Sequence, residues 1–85
     1  MRLFKNRCPQ CRGIAHTVHE LEPRSRGITS MRMQNRTAIC YPCHDAFHRL
    51  GASSSNILRW KEIIKDYLTS IGAYEEYINW GVELD

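Results

Sequence analysis

Four cysteines and four histidines carry most of the chemistry that this chain can offer. The cysteines fall into two close pairs, Cys8-Pro9-Gln10-Cys11 and Cys40-Tyr41-Pro42-Cys43. A Cys-x-x-Cys pair presents two thiolates to one ion, and two such pairs complete the four-sulfur tetrahedron that Zn2+ takes in structural sites. Two disulfides are the competing reading of the same residues. Directly after the second pair comes His44-Asp45-Ala46-Phe47-His48. On a helix, residues four apart lie on one face, so both imidazoles can bind one metal ion. Such a pair still needs ligands from elsewhere, and His19 is the nearest candidate by pattern. Three histidines meeting at one ion would leave positions open for water and a phosphate oxygen, which a hydrolytic site requires. The plainer readings are that His48 alone is a surface or core residue and that His44, beside Cys43, enters the zinc shell. Four available cysteines make the latter unnecessary.

The elements that must position these side chains are short. A chain of 85 residues makes one domain at most and buries too little apolar surface to offset its own chain entropy comfortably, so a metal staple is expected. After the first knuckle, Cys8 to Arg12, an extended stretch runs from Ile14 to Leu21, and Pro23-Arg24-Ser25-Arg26-Gly27 breaks it. A second β-like run, Arg36-Thr37-Ala38-Ile39, leads into the second knuckle. Pro42 suits the start of a helix predicted from His44 to about Leu50, ending near Gly51. Gly51-Ala52-Ser53-Ser54-Ser55-Asn56 reads as a cap-rich link, with Ser55 or Asn56 as the expected cap. Beyond it, Ile57, Trp60, Ile64, Tyr67, Leu68 and Ile71 recur at helical spacing, which predicts an amphipathic helix ended by Gly72. Ala73–Trp80 is expected to add a short helix. The expected fold is therefore α+β: a zinc-stapled β-hairpin and helix over residues 1–50, with a helical extension over residues 51–85 packed on it. Trp60, Tyr74, Tyr77 and Trp80 are read as packing onto the small core, with a partner surface as the alternative.

The order and spacing of these residues resemble the HNH endonucleases, also described as ββα-metal nucleases. Members often read His-His-x-x-Pro-x-Ser-x-Gly, then an Asn five residues before Cys-x-x-Cys-His-x-x-x-His. The matching text here is His19-Glu20-Leu21-Glu22-Pro23-Arg24-Ser25-Arg26-Gly27, then Asn35, then Cys40 to His48. With Cys8 and Cys11, the resemblance covers roughly residues 8–48, about half of the chain. It implies a treble-clef-like ββα-metal core in which Cys8, Cys11, Cys40 and Cys43 hold structural Zn2+. It also implies that His19, His44 and His48 hold one catalytic divalent cation, Mg2+, Mn2+, Ni2+ or Zn2+, at the scissile phosphate. Asn35 would support the catalytic loop and orient the general base, and Arg24, Arg26 and Arg36 would contact phosphates beside the cut. The second histidine of the family, the water-activating base, is replaced by Glu20. Glu20 could serve as the base, could itself be a metal ligand, could leave the base role to His16, or could mark a site that has lost catalysis. Strict strand alternation puts Glu20 and His19 on opposite faces, so a shared site needs a bend near His19.

Charge points the same way. Residues 1–50 carry nine Lys or Arg against three acids, a net +6, whereas residues 51–85 carry three against six, a net −3. Zinc with four thiolates would leave the first half at +4, still suited to a polyanion such as DNA. The start of the chain, Met1-Arg2-Leu3-Phe4-Lys5, has no apolar leader, and no run approaches membrane-spanning length, so a soluble, intracellular protein with no membrane partner is expected. The same context favours zinc over disulfides. The competing functions are a basic zinc module that binds nucleic acid without cutting it, and an interaction subunit whose residues 57–80 dock on a second copy or a larger protein.

Overall fold

A computed structural model describes residues 2–21 and 35–79. Arg24 and Arg26, named above as phosphate contacts, and Trp80 lie outside the described residues. The chain folds as a small α+β unit. A 3-10 turn, Arg2–Phe4, precedes two strands, β1 (Thr17–Glu20) and β2 (Arg36–Ile39), and three helices, α1 (Tyr41–Leu50), α2 (Ser54–Ser70) and α3 (Tyr74–Asn79). The strands pair antiparallel, with Thr17 opposite Ile39 and Glu20 opposite Arg36. Alternation along β1 and the extended residues before it buries Ala15, leaves Thr17 and His19 half-buried, and turns Ile14, His16 and Val18 outward.

The first knuckle is a tight hairpin. Arg7 bridges Ile14, and the Cys8 N–H donates to the Gly13 carbonyl at 2.9 Å. Arg12 closes it in the left-handed region, at φ 64°.

Helix α1 starts at Tyr41, three residues earlier than predicted, because Cys40 already has the extended backbone of an N-cap and its carbonyl accepts the His44 N–H at 2.9 Å. Pro42 fits the first turn, where its missing N–H costs nothing. Gly51, at φ 79°, ends the helix, with its N–H on the Phe47 carbonyl. Helix α2 also starts early. Its cap is Ser53, whose hydroxyl accepts the Asn56 N–H at 3.3 Å, and not Ser55 or Asn56. Asn56 is instead buried in the first turn and donates through Nδ2 to the Gly51 carbonyl at 2.7 Å, tying the two helices' ends together. Helix α2 ends in a Schellman arrangement. The Ala73 N–H reaches the Leu68 carbonyl and the Gly72 N–H reaches the Thr69 carbonyl, with Gly72 at φ 75°.

One apolar core runs across both halves of the chain, joining Phe4, Leu21, Ile39 and Phe47 to Trp60, Ile64, Tyr67, Leu68 and Tyr77. Two hydroxyls stitch the halves together. Tyr67 donates to the Phe4 carbonyl at 2.6 Å, and Tyr77 donates to the Arg36 carbonyl at 2.8 Å. The buried stripe of α2 therefore faces the chain's own core, leaving Leu58 exposed on its other side. No helix among the described residues is long and apolar enough to cross a membrane.

Candidate metal centre

Two groups of donor atoms converge among the described residues, each lying within 4.8 Å of one another. The first is Cys8, Cys11, Cys40 and Cys43, which can hold a structural metal such as zinc. Cys8 and Cys40 are buried, while Cys11 is exposed. The Cys11 and Cys40 sulfurs are 3.4 Å apart. Zinc–sulfur bonds in a tetrahedron put sulfurs roughly 3.8 Å apart, whereas a disulfide needs about 2.05 Å, so the spacing fits an ion and not a bond. Burial pushes the Cys40 and Cys43 thiols above their ordinary range, and the Gly13 N–H donating to Cys11 Sγ pulls that thiol down. A dication among these sulfurs would offset the desolvation that otherwise keeps buried thiols protonated.

The second group is His19, His44 and His48. Helix α1 puts His44 and His48 one turn apart, and β1 brings His19 across to them. His19 Nδ1 lies 3.1 Å from His44 Nε2, which lies 3.1 Å from His48 Nε2. Nitrogens bonded to one ion at about 2.0–2.1 Å stand roughly 3.0–3.4 Å apart, so the imidazoles already have the separation that a shared cation demands. Phe47, on the same helix, is buried and meets the His19 ring edge-on at 4.5 Å. Trp60 of α2 backs Phe47 at 6.3 Å, so the helical extension supports the histidine site from behind. Burial, with His44 and His48 beside it, holds His19 down at about 4, and burial likewise lowers His44. Both are neutral at pH 7, as metal ligands must be. The other His19 nitrogen, Nε2, is buried with no hydrogen-bond partner among the described residues.

His19 and Glu20 both line one open cleft of about 730 Å³, together with Leu21, Arg36, Phe47 and His48. Glu20 is not part of the three-histidine group. Its carboxylate pairs instead with Arg36 Nε across the strands at 3.9 Å. Sequence reasoning missed this pair because the register that opposes the two residues was not fixed by the pattern. Arg36 thus borders the cleft, with an acid already beside it. Asn35 is buried at the base of β2, and its carbonyl accepts the Leu21 N–H at 2.8 Å, next to Glu20. His16 is turned to the outer face of the sheet, where its ring stacks on Tyr41 at 4.7 Å, away from the three imidazoles. Asp45 and Arg49 pair with each other on the exposed side of α1.

The chain was compared with protein-family models, curated proteins and solved structures, and none of the three comparisons gave a match.

Proposed function

We propose that this protein is a divalent-metal-dependent endonuclease of the HNH type that hydrolyses phosphodiester bonds in DNA. The observation that carries the reading is the convergence of His19, His44 and His48 beside an open cleft that Glu20 and Arg36 also line. A structural site would be closed by its ligands, whereas three imidazoles leave room for substrate. The four-cysteine group, holding zinc, fixes where α1 begins and therefore where His44 and His48 stand.

The cation, Mg2+, Mn2+, Ni2+ or Zn2+, would be held by His19 Nδ1, His44 Nε2 and His48 Nε2. Bound there, it supplies Lewis acidity, drawing charge off the phosphate and stabilising the negative charge on the departing 3′ oxygen. Glu20 takes the proton from the attacking water as the water oxygen bonds to phosphorus and the bond to the 3′ oxygen breaks. The leaving oxygen recovers a proton from solvent. Arg36 holds the Glu20 carboxylate in the resting cleft and exchanges it for a phosphate oxygen when DNA enters. Asn35 anchors the start of β2, and the family resemblance assigns Arg24 and Arg26, outside the described residues, to phosphates flanking the cut. One subunit nicks one strand, so a double-strand break needs a second copy or a partner.

The Glu20–Arg36 pair also favours a second reading. With a carboxylate where relatives carry a histidine, and that carboxylate engaged by an arginine, the chain could be a zinc module that binds nucleic acid with little or no cleavage. Nicking of supercoiled plasmid separates the two. The zinc-loaded protein should nick with Mg2+ or Mn2+. His44→Ala and Glu20→Gln should each lose about 100-fold or more while retaining zinc. A His44→Ala variant that nicks as well as wild type ends the catalytic assignment. A wild type that binds DNA with steep salt dependence but never nicks establishes the second reading.

A further inference from the structure

We infer that the outer face of the extended segment Ile14–Val18, with the start of α1, is a stacking platform for unpaired nucleobases, which would make DNA with single-stranded character the preferred ligand. The His16 and Tyr41 rings lie nearly parallel, 7° apart, with centroids at 4.7 Å. His16 is exposed and Tyr41 is 61% exposed, so the pair is not buried by the fold among the described residues. On the same strand face stand Ile14, 65% exposed, and Val18, 48% exposed. An antiparallel sheet that packs one face on a core ordinarily turns polar side chains outward. Here the outward positions 14, 16 and 18 are Ile, His and Val.

Arg7 supplies the matching charge. It is exposed and stands opposite Ile14 in the antiparallel bridge, and directly opposed residues project to the same side of a ladder. One of its nitrogens donates to the Arg12 carbonyl at 3.4 Å, which leaves further N–H groups for a phosphate. Aromatic rings for the base and a cation for the backbone are the two parts by which proteins hold single strands.

Size chooses between occupants. From Ile14 to Val18 the strand advances about 13 Å, the length of two or three nucleotides but short for a stable protein interface. The surplus of basic residues in this half of the chain also opposes pairing with a second copy of the same face. A duplex hides its base faces inside the stack, so only unpaired bases can use the platform. His16 lies three strand residues, about 10 Å, from His19, and Tyr41 lies one turn before His44, so a strand held there is within a few nucleotides of the imidazoles.

The inference rests on the nucleic-acid reading above but not on cleavage, and its test is a binding measurement. The full-length, zinc-loaded protein is titrated into a fluorescein-labelled oligothymidylate of about a dozen nucleotides, and separately into a duplex of equal length, with anisotropy as the readout. The single strand should bind more tightly than the duplex. Tyr41→Ala should weaken single-strand binding about ten-fold, His16→Ala should weaken it in the same direction, and Tyr41→Trp should restore it, with zinc content unchanged. Single-strand affinity within about two-fold of wild type in both alanine variants overturns the proposal. So does a Tyr41→Ala variant whose only change is loss of a dimer in sedimentation, which would assign the face to self-association. Tyr41-dependent binding without any plasmid nicking leaves the platform standing and removes the nuclease. Nicking with Tyr41-independent binding does the reverse.

Discussion

Replacing Tyr67 with phenylalanine removes one oxygen atom and leaves the ring where it is, stacked on Phe4 at 6.4 Å and lying under the Arg12 guanidinium at 4.9 Å. What is lost is the 2.6 Å hydrogen bond to the Phe4 carbonyl, which joins residues 63 positions apart. That bond is buried, with Tyr67 4% and Phe4 1% exposed, so water cannot replace the donor. The Phe4 carbonyl keeps the Arg7 N–H at 3.1 Å, so the loss is that of one buried hydrogen bond, about 0.5–1.5 kcal/mol. In a domain of this size each kcal/mol moves Tm by roughly 4–8 °C, so Tyr67→Phe should melt roughly 2–12 °C lower. Tyr77→Phe is the control. Its hydroxyl is equally buried but bonds to the carbonyl of half-buried Arg36, an acceptor that water can reach, so its loss should be smaller. The assay is thermal unfolding of zinc-loaded protein by circular dichroism at fixed metal. A Tyr67→Phe variant melting within about 1 °C of wild type, or above Tyr77→Phe, refutes the claim that this bond stitches α2 to the Arg2–Phe4 turn.

The same hydroxyls make alkaline stability testable. Burial raises both phenols above their ordinary value of 10, so the neutral form is favoured in the fold, and stability intact below pH 10 is lost as pH rises beyond it. Tyr67→Phe should flatten that loss in a pH series of melts. At the acid end, with no metal on the imidazoles, His19 is held at about 4 against an ordinary 6.5, so the unfolded chain takes up its proton first. Stability should fall as pH drops below 6.5 and level off near 4, and His19→Gln should show a shallower slope. Cys8 is fully buried, and Cys8→Ser should abolish stoichiometric zinc in metal analysis. Structural zinc contributes about 10–16 kcal/mol in small fingers, as much as the whole stability of a domain, so this variant should also lose its cooperative melt.

Much of this arrangement can be read from local pattern. Paired cysteines, histidines one helical turn apart, and the stripe from Ile57 to Ile71 are periodicities that need no tertiary knowledge. Both α1 and α2 start a few residues before the positions that the pattern predicts, because a cap is chosen by backbone geometry. Ser53, Ser55 and Asn56 all have capping side chains, and only the chain's path from Gly51 decides that Ser53 takes the role and Asn56 turns inward. The cross-strand partner of Glu20 was hidden for a related reason. It depends on register, and a shift of one residue would have opposed Glu20 to a different side chain. Stacking of His16 on Tyr41 and the long-range hydroxyl bonds of Tyr67 and Tyr77 arise from packing between distant segments, which no spacing in the sequence encodes.

The proposed function requires two separate ions, one among thiolates and one among imidazoles. Anomalous diffraction from crystals grown with zinc and soaked in Mn2+ would test it directly. One peak is expected within about 2.3 Å of the sulfurs of Cys8, Cys11, Cys40 and Cys43. A second is expected bonded to His19 Nδ1, His44 Nε2 and His48 Nε2, with coordination positions open toward the Glu20 cleft. A map with the sulfur peak alone, and the His19 ring turned away from α1, would contradict it.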